Sequence, residues 1–216
     1  MTSSPTPPLP IRLFRSEDEP ALRRICYQTA WFGSSMEATG ADECLVSDLL
    51  LLPYLRYTPE TVWVADHGGQ VVGYLTGCLD TVRLDRLRPW ILAPRLFRHL
   101  VLRRRLVQPP TRALLRYGLQ SRFVHREFQR EATPWPAHLH LNIAPAHQGT
   151  GAGGRLMRHF LQKAKNAGSA GIHVTTSSPH GPSFFEHYGF QPVLERKTPA
   201  LFGRPPQPWL LMAVSL

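Results

Sequence analysis

Short runs of alternating and β-branched residues recur along the first half of the chain. They cover residues 11–14, 61–65 and 71–77, and the last two flank a Gly68-Gly69 turn. Two such runs around a Gly-Gly pair are typical of a β-hairpin. The pattern therefore predicts three strands, of which the second and third are paired.

Apolar residues at helical spacing lie between the first and second predicted strands. One series follows Asp18-Glu19-Pro20, whose acids and proline suit the first turn of a helix. A second series covers residues 41–52, and Pro53 is expected to close it.

The second half of the chain continues the alternation of strands and helices. A strand that ends near Pro145 leads into a glycine-rich turn, and the helix after that turn ends before Gly168, which suits a C-terminal cap. The patterns predict strands at 137–143, 172–176, 190–195 and 209–214, and helices at 151–166 and 183–187.

Residues 80–136 are different, because arginines are dense and Pro-Trp and Pro-Pro pairs interrupt helical patterns. We interpret the stretch as a mostly helical insertion between the third and fourth strands, lying over the sheet. Its arginines are expected to face solvent, since no basic stripe with interleaved aromatic residues marks a nucleic-acid site. They include Arg83, Arg86, Arg88, Arg95, Arg98, Arg103, Arg104, Arg105, Arg112 and Arg116.

Length and composition narrow the class of protein. The 216 residues, 43% of them hydrophobic, suit one globular domain, placed at 11–216. Residues 1–10 are rich in Ser, Thr and Pro and predict a disordered leader, and no apolar run is long enough to span a bilayer. A cytoplasmic protein without a membrane partner is expected. The net charge of +10 attracts polyanions, of which nucleic acid and CoA are two.

The three cysteines, Cys26, Cys44 and Cys78, are odd in number and widely spaced. Neither a disulfide framework nor a zinc site is expected from them. We interpret all three as small buried apolar residues.

A glycine-rich turn between a strand and a helix carries the strongest chemical signal. It reads Gln148-Gly149-Thr150-Gly151-Ala152-Gly153-Gly154. The first amides of a helix lack internal partners and the helix dipole favours an anion there, while glycines let the backbone approach closely. The turn therefore predicts a phosphate-binding site.

Two common phosphate-binding motifs do not account for this turn. The Rossmann spacing Gly149-x-Gly151-x-x-Gly154 is present, but that motif needs an acid about 20 positions later, and residues 132–185 contain no Asp or Glu. The P-loop needs Lys-Ser/Thr where Arg155-Leu156 stands.

The turn matches the pattern Q/R-x-x-G-x-G/A through Gln148, Gly151 and Gly153, and a second motif of the form F-Y-x-x-x-G-F follows at residues 184–190. On these two motifs the chain resembles the Gcn5-related N-acetyltransferase (GNAT) superfamily. The resemblance implies an acyl-CoA N-acyltransferase fold: α/β, with a mixed, mostly antiparallel central sheet flanked by helices.

A narrower resemblance rests on Asp48 to Tyr54, Thr58-Pro59-Glu60, Val72-Gly73-Tyr74, Leu79-Asp80-Thr81 and His138-Leu139-His140-Leu141. These stretches look like the acetyltransferase-like domain of bacterial proteins and of the C-terminus of some O-GlcNAcases. Acetyl-CoA binding is expected in the bacterial members, whereas the O-GlcNAcase versions look like pseudo-acetyltransferases.

The resemblance implies that acetyl-CoA lies along the strand at 137–143 and the glycine turn. The backbone of Leu141, Asn142 and Ile143 would flank the pantetheine, and an N–H near Ile143 would stabilise the oxyanion. Helix-start amides would bind the pyrophosphate. The complete predicted cofactor set is Leu141, Asn142, Ile143, Gln148, Gly149, Thr150, Gly151, Ala152, Gly153, Gly154, Arg155 and Phe185.

Catalytic groups are less clearly indicated, because no carboxylate lies on the strand at 137–143. Alternation places His138 and His140 on one face, and either imidazole could act as the base. The family's tyrosine acid is replaced by Phe185, and Tyr188 is a candidate substitute. No third ligand accompanies the two histidines, so no metal site is expected.

Three functions remain open from the sequence. The first is acetyl-CoA-dependent N-acetyl transfer to a small-molecule or protein amine by direct attack on the thioester. The second is a catalytically weak acyl-CoA-binding pseudo-acetyltransferase, and the third is nucleic-acid binding through the insertion, which the sequence favours least. A homodimer is compatible with this fold.

Overall fold

The structure is a computed structural model and describes residues 9–102 and 107–216, with Leu102 described by its backbone alone. Residues 1–8 of the predicted leader, and Arg103, Arg104 and Arg105 of the insertion, lie outside the described residues.

The described residues form seven strands and seven α-helices. The strands are β1 (Ile11–Leu13), β2 (Val62–His67), β3 (Gln70–Cys78), β4 (Ala137–Ile143), β5 (Gly171–Thr176), β6 (Gln191–Lys197) and β7 (Pro208–Ser215). The α-helices are α1 (Glu19–Thr29), α2 (Glu43–Leu50), α3 (Leu52–Tyr57), α4 (Thr81–Phe97), α5 (Pro109–Glu131), α6 (Ala152–Asn166) and α7 (Gly181–Glu186).

All seven strands form one sheet in the order β1-β2-β3-β4-β5-β7-β6. Every neighbouring pair is antiparallel except β4 and β5, which run parallel. The predicted α/β fold, with a mixed, mostly antiparallel sheet and a helical insertion between the third and fourth strands, is confirmed.

Helices cover both faces of the sheet. On one face α6 packs against Leu75 and Leu139 through Leu156 and Phe160. Phe160 lies so close to β3 that a Cβ at Gly77 would collide with its ring. On the other face α1 and α3 pack against β2 and β3 in a second apolar cluster. Alternation along β4 therefore directs its odd-numbered side chains to α6 and its even-numbered side chains to α1 and α3.

Three details of the sequence interpretation are wrong. Pro53 lies in the first turn of α3 and so starts a helix instead of closing one. A proline is tolerated there because residues of the first turn do not need their N–H for a hydrogen bond within the helix. Pro89 and Pro94 lie inside α4, so the Pro-Trp pair does not interrupt it. Cys44 is exposed, whereas Cys26 and Cys78 are buried as expected.

The insertion consists of α4, a π-helical turn at Arg98–Leu102 and α5. The C-terminal end of α5 covers β7, where Phe128 and Ala132 pack with Leu211. Among the described residues, no helix combines the length and apolarity needed to cross a membrane.

Candidate active site

The parallel strands β4 and β5 separate soon after they begin. Ala137 pairs with Ile172 and His138 with His173, and the register ends there, although both strands continue. The C-terminal half of β4 therefore borders a gap that β5 does not fill. The glycine-rich turn and the start of α6 lie at the far end of this gap.

Two backbone amides of β4 face the gap. The N–H of Ala144 donates to Val72 O of β3 at 2.9 Å, so this opposite pair is hydrogen-bonded. Because N–H groups alternate in direction along an antiparallel strand, the amide of Asn142 points at β3 and those of Leu141 and Ile143 point away from it, towards the gap.

The glycine-rich turn adopts a conformation that requires glycine. Gly149 has φ 76° and Gly151 has φ 80°, and the space where their Cβ atoms would lie is open. Gly151 is the N-cap of α6, and the first amide to bond back to it is that of Arg155, at 3.2 Å. The amides of Ala152, Gly153 and Gly154 thus precede the first helical hydrogen bond, as at other anion-binding helix starts.

Side chains of the turn divide into two groups. Gln148 Nε2 donates to Ile143 O at 3.3 Å and Thr150 Oγ1 donates to His147 O at 2.7 Å, so both hold the loop together. Arg155 differs, since its Nη1 is buried without a hydrogen-bond partner among the described residues. A buried unpaired guanidinium nitrogen is costly, and a phosphate at the helix start would satisfy it.

The aromatic residues of the second motif lie near this helix start. Phe185 is buried, with ring centroids 5.3 Å from Phe184 and 5.5 Å from Phe190. Tyr188 lies with its hydroxyl against the first turn of α6, where a Cβ at Gly154 would collide with it. Tyr188 is therefore at the phosphate end of the site.

The side chain of His138 is fully engaged in hydrogen bonds. Thr81 Oγ1 donates its proton to Pro136 O at 2.7 Å, so it can only accept a hydrogen bond from His138. His138 Nδ1, 2.7 Å from Thr81 Oγ1, must therefore be the protonated nitrogen. Nε2 then accepts from the Tyr54 hydroxyl at 2.6 Å. Burial lowers the pKa of His138 well below its usual value, which keeps this tautomer neutral.

His140 lies two residues further along β4, on the same face. It is partly buried, its ring centroid is 5.5 Å from that of Tyr54, and no hydrogen bond to its ring nitrogens occurs among the described residues. Removal of the ring from water, with the charge of Arg88 adding to the effect, lowers the pKa of His140 to about 4. Its ring is neutral at pH 7 and retains a free lone pair.

Sequence interpretation missed Tyr54, Thr81 and His173. His173 Nδ1 donates to Trp135 O at 2.6 Å, and its ring lies 5.5 Å from that of His138. Tyr54 and Thr81 end two of the stretches on which the narrower resemblance rests, but nothing in those stretches assigns them to the site, and His173 lies in none of them. Only the sheet order and the packing of α3 and α4 bring them to β4.

Comparison with known proteins gives results that agree with this geometry. A family model described as the acetyltransferase (GNAT) family matches residues 25–190. The crystal structure of SsHAT is similar at 26% identity, with 97% of this chain and 98% of that chain covered and a TM-score of 0.72.

Two further solved structures share the fold at lower identity. Polyamine N-acetyltransferase of Drosophila melanogaster, an enzyme that forms N-acetylagmatine, is 18% identical with a TM-score of 0.57, covering 96% of this chain and 100% of that chain. The protein yncA from Salmonella typhimurium, solved with its cofactor acetyl-CoA, is 15% identical with a TM-score of 0.57, covering 96% and 94%.

Proposed function

Because the chain belongs to the acetyltransferase (GNAT) family, we propose that it transfers the acetyl group of acetyl-CoA to an amine at the gap between β4 and β5. The observation that carries the proposal is the divergence of these strands after His138 and His173. The resulting gap leads to the start of α6, which suits an anion. The gap gives an extended thioester arm a place beside β4, and the helix start gives its pyrophosphate a partner.

The residues of the glycine turn suit CoA. The free amides of Ala152, Gly153 and Gly154 would bind the pyrophosphate, and Arg155 would place its unpaired Nη1 on a phosphate oxygen. Bound acetyl-CoA would supply a thioester. The amine nitrogen would form the new C–N bond with its carbonyl carbon while the C–S bond breaks, and the proton that the amine loses balances the one that the CoA thiol gains. Gln148 and Thr150 support the shape of the turn.

The gap-facing amides of β4 are the groups that can stabilise a carbonyl oxygen. Leu141 and Ile143 both direct an N–H into the space that β5 leaves. A fixed backbone donor aimed at a developing oxyanion is a strong source of catalysis, because it needs no reorganisation. The backbone N–H of Asn142 points at β3, and its side chain forms hydrogen bonds with Thr29 and Tyr74. Asn142 would therefore support the site without contacting the thioester.

Of the two histidines on β4, we assign the base to His140. Its ring is neutral at pH 7 and its lone pair is free, whereas both ring nitrogens of His138 are already bonded to Thr81 and Tyr54. His140 Nδ1 or Nε2 would accept the amine's proton, directly or through one water. His138 instead positions Tyr54 against the His140 ring.

A turnover assay tests acetyl transfer. The purified protein is incubated with acetyl-CoA and a panel of small amines and peptides, and acetylated product and free CoA are quantified by mass spectrometry. Equal amounts of both products support the proposal. Binding of acetyl-CoA without acetylation of any amine would support the pseudo-acetyltransferase hypothesis instead.

A thermal shift experiment tests the cofactor site separately. Acetyl-CoA at about 100 times its Kd should stabilise the protein by roughly 2.7 kcal/mol, because it binds only the folded state. Gly151→Asp should abolish the shift, since it adds a like charge at the helix start. Gly68→Asp is the matched control: Gly68 also has positive φ and open space, but it lies in the β2–β3 turn. Loss of the shift in both variants would argue against a site at residue 151.

A further inference from the structure

Two tight turns from distant parts of the chain meet beside the gap. They comprise residues 31–34 and 201–204, and both have Phe-Gly at the centre. In each, the outer residues exchange backbone hydrogen bonds, of 2.9 and 3.0 Å in the first and 3.2 and 3.0 Å in the second. We refer to them as the two Phe-Gly turns.

Both turns hold a phenylalanine in a strained conformation. Phe32 has φ 54° and Phe202 has φ 49°, and these are the described residues other than glycine with positive φ. A two-residue hairpin loop normally carries Asn, Asp or Gly at this position, because a bulky side chain there costs on the order of 1–2 kcal/mol. Strain of this kind is typical of functional sites.

The first Phe-Gly turn lies across the mouth of the gap. Just before it, Thr29 Oγ1 is 2.9 Å from Asn142 Oδ1 on β4. Within it, Gly33 lies against Ser178, in the loop that follows β5, where a Cβ would come within 3.2 Å of the serine Oγ. The turn therefore connects the two edges of the gap, on the face of the sheet that carries His140.

Arg204, at the end of the second Phe-Gly turn, stacks on the first. Its guanidinium carbon is 4.3 Å from the centroid of the Trp31 ring and 5.9 Å from that of Phe32. It donates to Ser34 Oγ at 3.2 Å and to Trp31 O at 3.5 Å, both neutral acceptors. No carboxylate of the described residues forms an ion pair with it, so the charge is held in place by aromatic rings and is not neutralised.

A second donor without an acceptor lies in the same pair of turns. Trp31 Nε1 is buried and has no hydrogen-bond partner among the described residues. A planar guanidinium with spare N–H groups matches a carboxylate or phosphate, and an adjacent unpaired N–H adds to that preference.

We propose that Arg204 binds an oxyanion of the acceptor, so that the enzyme acetylates amines that also carry a carboxylate or a phosphate. The inference rests on the proposed function and adds the class of acceptor to it. A simple amine is cationic at pH 7 and gains nothing from Arg204, whereas an anionic group would replace the weak neutral contacts of the guanidinium with charge-assisted ones.

Matched pairs of amines test the proposal. The pairs are L-phenylalanine and phenethylamine, L-lysine and 1,5-diaminopentane, and glucosamine 6-phosphate and glucosamine. In at least one pair, kcat/KM should be about tenfold or more higher for the anionic member. The pair that responds distinguishes a carboxylate from a phosphate. Arg204→Gln should remove the preference, and Arg204→Lys should retain part of it because the charge remains.

Arg83→Gln is the matched control, since Arg83 also stacks on an aromatic ring, 5.6 Å from the centroid of Tyr57, but belongs to α4. It should leave the preference unchanged, and the acetyl-CoA thermal shift should be intact in all three variants. A preference for the anionic member that stays below about tenfold in every pair, or a preference that survives Arg204→Gln, would overturn the inference and leave acetyl transfer standing. Absence of turnover with every amine would overturn the proposed function itself.

Discussion

At the scale of single residues, hydrogen bonding separates two histidines that are equivalent in the sequence pattern. His138 has a carbonyl-anchored threonine on one nitrogen and a tyrosine on the other, whereas His140 has neither. A general base needs a free lone pair, and a pKa near the working pH makes it most efficient. Because the pKa of His140 is about 4, we expect its contribution to kcat at the lower end of the range for general bases, which is about 10²–10⁴-fold.

Replacing His140 with Ala should lower kcat by about a hundredfold. The KM for acetyl-CoA should stay unchanged, because the proposed cofactor site is at the start of α6. Steady-state kinetics with a saturating amine measure both quantities. His159→Ala, an exposed histidine on α6, is the control. Unchanged kcat in His140→Ala would remove the base assignment.

Tyr54→Phe should destabilise the protein by about 1–3 kcal/mol, because it leaves the buried Nε2 of His138 without a donor. Urea unfolding gives the free energy. Tyr57→Phe in the same helix should change it by less than about 0.5 kcal/mol, since the Tyr57 hydroxyl has no hydrogen bond among the described residues. Equal effects of the two substitutions would contradict the hydrogen bond between Tyr54 and His138.

At the scale of elements, the first turn of α6 has to be free of side chains on two sides. On the ligand side, Gly149 and Gly151 leave open space. On the packing side, Gly154 leaves room for the Tyr188 hydroxyl. The same glycine run would thus serve the proposed cofactor site and the packing of Tyr188, which follows α7, and mutation can separate the two roles.

Gly154→Ala should destabilise the protein by roughly 1–3 kcal/mol through overpacking against the Tyr188 hydroxyl. Tyr188→Phe should relieve the collision, because the ring carbon that bears the hydroxyl is 3.7 Å from the position of the added Cβ. The double variant should be at least as stable as Tyr188→Phe alone, since Ala suits a helix better than Gly. Chemical denaturation of the four proteins measures this cycle. Additive effects would show that the hydroxyl is not the obstacle.

At the scale of the whole molecule, four histidines gather where the sheet meets the insertion. The pKa values of His125, His138, His140 and His173 are all lowered, with burial the largest cause in each. They come from α5, β4 and β5, and neutral rings suit their packing. The folded protein therefore favours the neutral form of each ring.

Stability should fall as the pH decreases from about 6.5 towards 4. In this window the unfolded chain binds protons on these rings, whereas folded His140 resists protonation down to about pH 4. Since the unfolded state then holds more protons, the free energy of unfolding drops by up to about 1.4 kcal/mol per pH unit for the His140 ring. Urea unfolding at several pH values measures the slope. His140→Asn should reduce it, and an unchanged slope would contradict the low pKa.

Many of the secondary-structure elements could be predicted from local sequence. Apolar periodicity located the strands and most helices, because a period of about 2 marks the buried face of a strand and a period of about 3.6 marks that of a helix. The glycine turn was also readable, since a helix start that must bind an anion needs glycines at particular positions. The boundary at Pro53 was not, because a proline suits both the end of one helix and the start of the next.

The amino-acid sequence by itself determined the elements, the predicted phosphate site and the resemblance to the acetyltransferase family. The tertiary structure alone decided which histidine keeps a free lone pair, where β4 and β5 separate, and that Arg204 stacks on Trp31. The physical reason is range. Backbone propensity and side-chain periodicity act over a few residues, whereas a proton's position, a gap between strands and a stacked cation depend on groups that meet only after the whole sheet has formed.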